Sequence, residues 1–407
     1  MSILSSKKTF TNYIVYSIVF ICIVSFYGYQ YIFRLLPNVI MPFIYEKYSI
    51  GSNEFGSYAA SYYLGYVIFH IPIGIIINKF GCKLIITLSI ILCALGILPI
   101  MISDNWYLVL FGRFITGIGS STSIIAAFQV FRHIFPNHYS QAIGANVFFG
   151  LIIIILGGEY LSRMINHTGI SDGILGLMIL GAVLALVSYL AIPNFKSSND
   201  SNLWYEVKKM LKNKRFIIIS LCAGLMVGPL EGFSDAWASL FLIKIYDLSK
   251  IVADKVILSV LMGMAIGSLC LPYISKKFKI EYNINIFSAF FMLSLFLILM
   301  SGKVFSEFIS ILLFCIGFFS AYQVVIIPML SSFVKSDNAA LASSITNMII
   351  MFFGNFFHKI IGFTLDFYSQ DNHNYTNLAI QYSLLIIPIS LFVAMIILIL
   401  IKKKQNN

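Results

Sequence analysis

Residues 194–215 read NFKSSNDSNLWYEVKKMLKNKR, and six of them are cations: Lys196, Lys208, Lys209, Lys212, Lys214 and Arg215. This polar stretch interrupts a chain of 407 residues that is 59% hydrophobic and only 11% charged. Ordinary globular chains carry roughly 25% charge. On either side of it, segments rich in apolar residues follow one another through short connections. A membrane-spanning helix needs about 20 such residues. Six segments of that kind precede the stretch, at roughly 13–36, 57–77, 84–102, 106–130, 141–164 and 173–193. Six follow it, at roughly 216–243, 254–275, 284–301, 308–333, 339–366 and 379–401. The expected architecture is therefore all-α and membrane-embedded. It comprises an N-terminal six-helix bundle (1–193), a linker (194–215) and a C-terminal six-helix bundle (216–407).

The mean hydropathy of +0.91 excludes a soluble domain, a disordered chain or a disulfide scaffold. A net charge of +11 in a soluble protein would suggest nucleic acid. Here its distribution gives another meaning. With the N-terminus inside, the inner loops and tails hold 18 of the 27 Lys and Arg, and the outer loops hold six. The excess of cations places both termini in the cytoplasm of a cell that carries the protein in its inner or plasma membrane. Lys7 and Lys8 precede a first apolar run too long for a signal-peptide core, so it is read as an uncleaved span. The six cysteines show no metal-ligand spacing and read as small core residues. No nucleotide-binding Gly-x-x-x-x-Gly-Lys-Ser/Thr loop occurs, which excludes ATP-driven pumping by this chain alone. No metal, cofactor or nucleic acid is expected, and a monomer is.

The halves align at an offset of 198 residues: Gly65 on Gly263, Gly119 on Gly317, and Lys79-Phe80 on Lys277-Phe278. Such repeats let two bundles rock around a site near the midplane.

The loop after the second span reads Gly74-Ile-Ile-Ile-Asn78-Lys79-Phe80-Gly81-Cys82-Lys83. It resembles the signature loop of the major facilitator superfamily, Gly-x-x-x-Asp-Arg/Lys-x-Gly-Arg-Lys. Gly74 would allow close helix approach, Gly81 would make the tight turn, and Lys79 and Lys83 would hold the loop inside. The sequence departs from the pattern at Asn78 and Cys82. Span 4 carries Arg113-Phe-Ile-Thr-Gly117-Ile-Gly119, similar to the family's Arg-x-x-x-Gly-x-Gly motif, whose Arg serves coupling or substrate binding. Span 5 has Gly144, Gly150, Gly157 and Gly158 but no proline beside them, so the family's antiporter motif is missing. The resemblance implies a twelve-span secondary transporter, and the missing motif leans toward symport or uniport.

A charge at mid-bilayer costs roughly 2.5–3.5 kcal/mol on insertion scales. Six remain within the spans: Arg34, Arg113, Glu159, Glu231, Asp235 and Lys359. For Glu159 and Lys359 the simpler reading is snorkelling to the outer interface. Arg34 stands seven residues before Met41-Pro42. That placing resembles the first helix of the organophosphate and organic-anion branches, where the Arg binds a phosphate or carboxylate. A guanidinium suits this because its planar fork bonds an oxyanion at two points. Span 7 carries Gly228-Pro229-Leu230-Glu231-Gly232, then Asp235 and Trp237. Gly-Pro frees backbone groups inside a membrane helix, a device of transporter binding sites. Glu231 would repel a phosphate dianion, which disfavours phosphate-ester exchange. Three readings stay open. Arg34 takes a carboxylate and Glu231 an ammonium; Glu231 carries a proton; or the two simply pair. Tyr27, Tyr31, Tyr62, Tyr63, Trp237 and Tyr322 could shape the cavity, while His70, Gln129 and Gln323 read as helix–helix hydrogen-bonding residues.

The expected function is secondary transport of a small organic anion or amino acid by alternating access, coupled to protons. The alternatives are an exporter of amphiphilic compounds and a non-transporting membrane sensor. The short tail after Ile401 argues against the sensor, and the lack of a catalytic constellation argues against an enzyme.

Overall fold

The computed structural model describes residues 2–135, 139–194, 203–331, 333, 339–368 and 375–406. Twelve helices in it are long and apolar enough to cross a membrane. The first six are α1 (Ile14–Tyr48), α2 (Ser52–Ile77), α3 (Cys82–Ile102), α4 (Trp106–Phe131), α5 (Ala142–Ile165) and α6 (Ile170–Ala191). The second six are α7 (Lys214–Tyr246), α8 (Lys250–Phe278), α9 (Glu281–Met300), α10 (Ser306–Leu330), α11 (Ala342–Tyr368) and α12 (Asn377–Lys403). With twelve crossings, both termini and the linker share one face, called here the linker face; the other is the distal face.

Local chemistry sets several of the ends. Asn105 caps α4 by accepting from Tyr107 N at 2.9 Å. Asn213 caps α7 by accepting from Phe216 N at 3.2 Å, and Thr376 caps α12 by accepting from Ala379 N at 3.2 Å. The linker forms a short amphipathic helix, Leu203–Lys212, that buries Val207 and Met210 and exposes Lys208, Lys209 and Lys212. Large apolar side chains such as Leu156, Leu190 and Phe367 project from the outer surface, as helices solvated by lipid require. None of the six cysteines is in a disulfide among the described residues, and four of them are buried.

Each bundle repeats the same close contacts. Gly65 of α2 lies against the Phe114 carbonyl of α4, and Gly263 of α8 against the Phe314 carbonyl of α10. Gly117 lies against the Tyr62 carbonyl, and Gly317 against that of Val260. A side chain at any of these positions would drive the helices apart. The partner of Gly317 is therefore Gly117, not the Gly119 that a single offset of 198 selects. The offset grows by two residues between the second and fourth helices of the repeat. Gly119 instead packs on α3, against the Ser89 carbonyl.

The bundles meet where α2 runs along α11, α5 along α8, and α1 beside α7. Toward the distal face α2 and α11 touch backbone to backbone. A Cβ on Gly56 would stand 2.6 Å from the His358 carbonyl, and one on Gly362 2.7 Å from that of Ser52. Asp366 of α11 accepts from the Ser52 and Asn53 amides, at 3.1 and 2.7 Å, and from the Ser52 hydroxyl. The α2 helix starts on Gly51, which has no side-chain cap of its own, so a carboxylate from the other bundle supplies one. In the other seam, near the distal start of α8, Asp254 accepts from Ser162 of α5 and Ser239 of α7, at 3.1 and 3.2 Å. Lys250 donates both to Asp254 and to the Asn38 carbonyl of α1.

Candidate functional site

The α7 helix widens into a π-helix over Gly228–Trp237, closed by the Ala238 amide donating to the Phe233 carbonyl five residues back. Pro229 in its first turn lacks a donor N–H, and the wide turn absorbs the misfit without breaking the helix. Every residue of the π-segment is buried. Glu231 and Asp235 lie in it, four residues apart, and face α1.

They converge on Arg34. Its Nη2 pairs with Glu231 Oε2, and its Nε donates to Asp235 Oδ2 at 3.3 Å. Nη2 also donates to the Tyr63 hydroxyl of α2 at 3.2 Å. That hydroxyl reaches Glu231 Oε2 at 3.0 Å and stands in short contact with Asp235 Oδ2. The guanidinium lies 4.3 Å from the centroid of the Tyr31 ring. Arg34, Glu231 and Asp235 are each at most 5% exposed. Asp235 Oδ1 has no hydrogen-bond partner among the described residues. Burial of these charges is tolerable because each carboxylate meets the same cation.

Of the three readings open in the sequence, direct pairing of Arg34 with Glu231 is what this conformation contains, and Asp235 joins as a second anion. Tyr63 is the member that sequence reasoning left among many aromatics. Its signal was only its place on α2, and the hydroxyl's central position needs three-dimensional contact to see. His358 of α11, not singled out before, sets its ring 5.2 Å from that of Tyr63.

The other expected residues fall outside this cluster. Arg113 of α4 donates to the Phe33 carbonyl at 2.5 Å and lies over the rings of Tyr58 and Tyr62, at 5.1 and 4.7 Å. It holds the α1 backbone one residue before Arg34. Trp237 packs against Phe55, ring centroids 5.6 Å apart, beside the Gly56 crossing. Lys359 donates to Ser57 of α2 at 3.0 Å, a link between bundles that snorkelling alone did not foresee. The Glu159 side chain lies outside the described residues. Gln30 accepts from the Tyr62 hydroxyl at 2.8 Å. His70 departs from expectation: neither ring nitrogen has a partner among the described residues.

The loop after α2 docks on its own bundle. Gly81 has φ +90°, and a Cβ there would strike the Asn194 side chain; only glycine takes this turn easily. Cys82 Sγ approaches the Pro193 carbonyl at 3.8 Å, and Lys83 Nζ lies 4.4 Å from the centroid of the Tyr189 ring. Gly74, expected to allow close helix approach, has nothing within 4 Å of a Cβ position, so no helix presses on it here. The side chains of Asn78 and Lys79 lie outside the described residues.

Comparison with known proteins supports the same architecture. The chain is 24% identical over 299 residues to an uncharacterized MFS-type transporter of Caenorhabditis elegans, covering 67% of this chain and 50% of that protein. It is 25% identical over 195 residues to an uncharacterized transporter of Buchnera aphidicola, covering 46% and 48%. The chain thus spans about half the length of the curated relatives it matches. Among solved structures, a nucleoside transporter, NupG, superposes with a TM-score of 0.74 at 14% identity, covering 95% of this chain and 99% of that one. A bacterial homolog of the human lysosomal transporter Spinster, inward-facing and occupied, gives 0.72 at 15%, covering 95% and 97%. A D-xylose-proton symporter gives 0.71 at 13%, covering 94% and 96%. These likenesses speak for the fold. The family profile of the Major Facilitator Superfamily matches residues 18–358, most of the chain, and the protein belongs to that superfamily.

Proposed function

We propose that this multi-pass membrane protein is a proton-coupled symporter of a small organic anion or amino acid, working by alternating access. The Lys and Arg bias supports a cytoplasmic linker face, with both termini inside the inner or plasma membrane. In this reading the protein acts as a monomer, from bundle 1–193, linker 194–215 and bundle 216–407.

The observation that carries the reading is the proton count at Tyr63. A phenol has one proton, yet its oxygen stands in hydrogen-bond contact with both Glu231 and Asp235 while accepting from Arg34. It can donate to only one carboxylate at a time. The second oxygen–oxygen contact becomes a hydrogen bond when one carboxyl carries a proton. The same proton removes the excess negative charge of two carboxylates around one guanidinium, which is costly in a buried site. Substrate entry then has a simple course. A carboxylate displaces an acid from Arg34, the displaced acid is held neutral by its proton, and an ammonium on the substrate takes the other.

Uptake of radiolabelled amino acids and organic acids into proteoliposomes, with and without an inward proton gradient, tests this. The gradient should raise initial uptake several-fold, and Glu231→Gln should abolish that response. Gradient-independent uptake of every compound would remove proton coupling. Normal uptake in both Arg34→Lys and Glu231→Gln would remove the site.

A second reading, export of amphiphilic compounds, draws on a cleft of about 310 Å³ between α1, α5 and α8, lined by Ile32, Leu36, Ile154 and Leu258 with Arg163 and Lys255. Extrusion of an amphiphilic dye from loaded vesicles, undiminished by Arg34→Lys, would favour it.

A further inference from the structure

Two hollows adjoin in the seam where α5 of one bundle runs along α8 of the other. The first is the cleft of about 310 Å³ bounded by α1, α5 and α8. The second, of about 410 Å³, lies between α5, α8 and α10, with Leu156, Met262, Ile311 and Phe314 among its walls. Lys255 and Leu258 of α8 line both, so a single ridge separates them.

The hollows lie in the distal half of the spans. Lys255 is five residues into α8, which begins at Lys250, and Arg163 is five residues before the α5 helix ends at Thr168. At 1.5 Å per residue both cations stand about 7–8 Å below those helix ends. The apolar walls run on toward the middle of the membrane: Ile154 is nine residues deeper than Arg163, about 14 Å along the helix. The mouths face hydrocarbon. Leu156, Ile251 and Ile311, lining residues from α5, α8 and α10, are 69%, 65% and 58% exposed on a chain that spans a membrane. An apolar hollow open to lipid fills with acyl chain rather than water.

The polar groups at the distal rim sort into two sets. Asp254 is engaged with Lys250, Ser162 and Ser239, and the Asn38 amide donates to the Ser234 carbonyl at 2.6 Å, so both are satisfied within the seam. Arg163 and Lys255 are exposed beside them, and Lys255 has no hydrogen bond or ion pair among the described residues. A cation on a lipid-facing helix below its end is stabilised by anions at headgroup depth. We propose that this seam binds one anionic phospholipid of the distal leaflet, with an acyl chain in each hollow and its phosphate held by Lys255 and Arg163. Two chains astride one ridge match the two hollows astride Lys255 and Leu258. Two rim cations beside an already paired carboxylate match a headgroup of net negative charge. The lipid touches both bundles and is a fixed part of the seam between them. This goes beyond the transport reading and holds for any cargo, and it gives the cleft a resident in place of an exported compound.

Thermal-shift titration of the purified full-length protein in a maltoside detergent tests it. Phosphatidylglycerol should stabilise the protein at about tenfold lower mole fraction than phosphatidylcholine with the same chains. Lys255→Ala should cut that preference at least threefold, and Arg163→Ala combined with Lys255→Ala should abolish it. Lys303→Ala, which removes a distal cation that lines neither hollow, should leave it intact. A Cβ on Gly158 would meet only Leu258, at 3.6 Å, so Gly158→Leu fills the first hollow. That variant should weaken both lipids about tenfold, while its melting temperature without added lipid holds or rises, because a helix interior loses a glycine. Equal stabilisation by the two lipids would overturn the proposal. So would a preference lost as fully in Lys303→Ala as in Lys255→Ala, which would mark general charge attraction. Glycerophosphoglycerol, the headgroup without chains, acting as well as the lipid would also overturn it. A drop of several degrees in lipid-free Gly158→Leu would show that the hollow is not open, and loss of amphiphilic-dye extrusion in that variant would make the cleft a cargo path; either result removes the resident lipid.

Discussion

At the scale of single residues, the proposed site is four side chains whose roles should separate on substitution. Arg34→Ala leaves two carboxylates buried without their cation. Breaking a buried pair in this way costs about 3–5 kcal/mol, so the variant should melt well below the unmodified protein in detergent. Adding Glu231→Leu and Asp235→Leu should recover most of that loss without restoring uptake. Tyr63→Phe is gentler. The ring keeps its place beside His358 while the hydroxyl that touches Arg34, Glu231 and Asp235 is lost. Stability should change by no more than about 1.5–3 kcal/mol, the worth of hydrogen bonds to charged groups. Gradient-driven uptake should fall at least tenfold. Arg34 and Glu231 were legible in the sequence because charge inside an apolar span is rare and demands a reason. Tyr63 was not, since tyrosine is ordinary in membrane helices and only contact between α1, α2 and α7 distinguishes it from the other 22 in the chain.

At the scale of elements, two features would govern helix movement in the proposed cycle. The π-segment of α7 brings Glu231 and Asp235 to Arg34 and follows from Pro229. The sequence pointed to an interrupted helix there but not to its form, because a proline can be absorbed by a kink, a break or a wide turn. The second feature is the start of α2, completed by Asp366 of α11. Removing a helix cap costs about 0.5–2 kcal/mol. Asp366→Ala should therefore shift the bundles toward opening at the distal face by that amount. Spin labels on the distal ends of α2 and α11 would report a larger share of long distances, and Asp366→Asn should lie between the two. Nothing in the sequence marked Asp366. It stands at the very end of the eleventh apolar run, and its partners on α2, the Ser52 and Asn53 amides and the Ser52 hydroxyl, are more than 300 positions away.

At the scale of the molecule, the fold was the most legible part. Twelve apolar runs, one polar linker and the sorting of 27 cations are properties of composition along the chain, which periodicity and charge report without tertiary information. The repeat was legible only approximately. A single offset matched Gly65 with Gly263 correctly but Gly317 with the wrong glycine, because loops absorb insertions that helix contacts do not. The corrected pairing makes a prediction for the whole bundle. Gly117→Val and Gly317→Val should each separate a pair of helices, against the carbonyls of Tyr62 and Val260, and lower the melting temperature by similar amounts. Gly74→Val, with open space at its Cβ, should leave it nearly unchanged.

In the alternating-access cycle proposed above, the shared cap at the distal face would also make transport sensitive to water. While the face is shut, Asp366, the Ser52 hydroxyl and the amides of Ser52 and Asn53 satisfy one another. When the bundles part, each of these groups must take on water, as must the backbone surfaces around Gly56 and Gly362. In that cycle, opening would be a hydration step as well as a rotation. Solutes excluded from protein surfaces favour the state with less wetted surface. Sucrose or trimethylamine oxide should hold the distal face closed, and that dependence should weaken in Asp366→Ala.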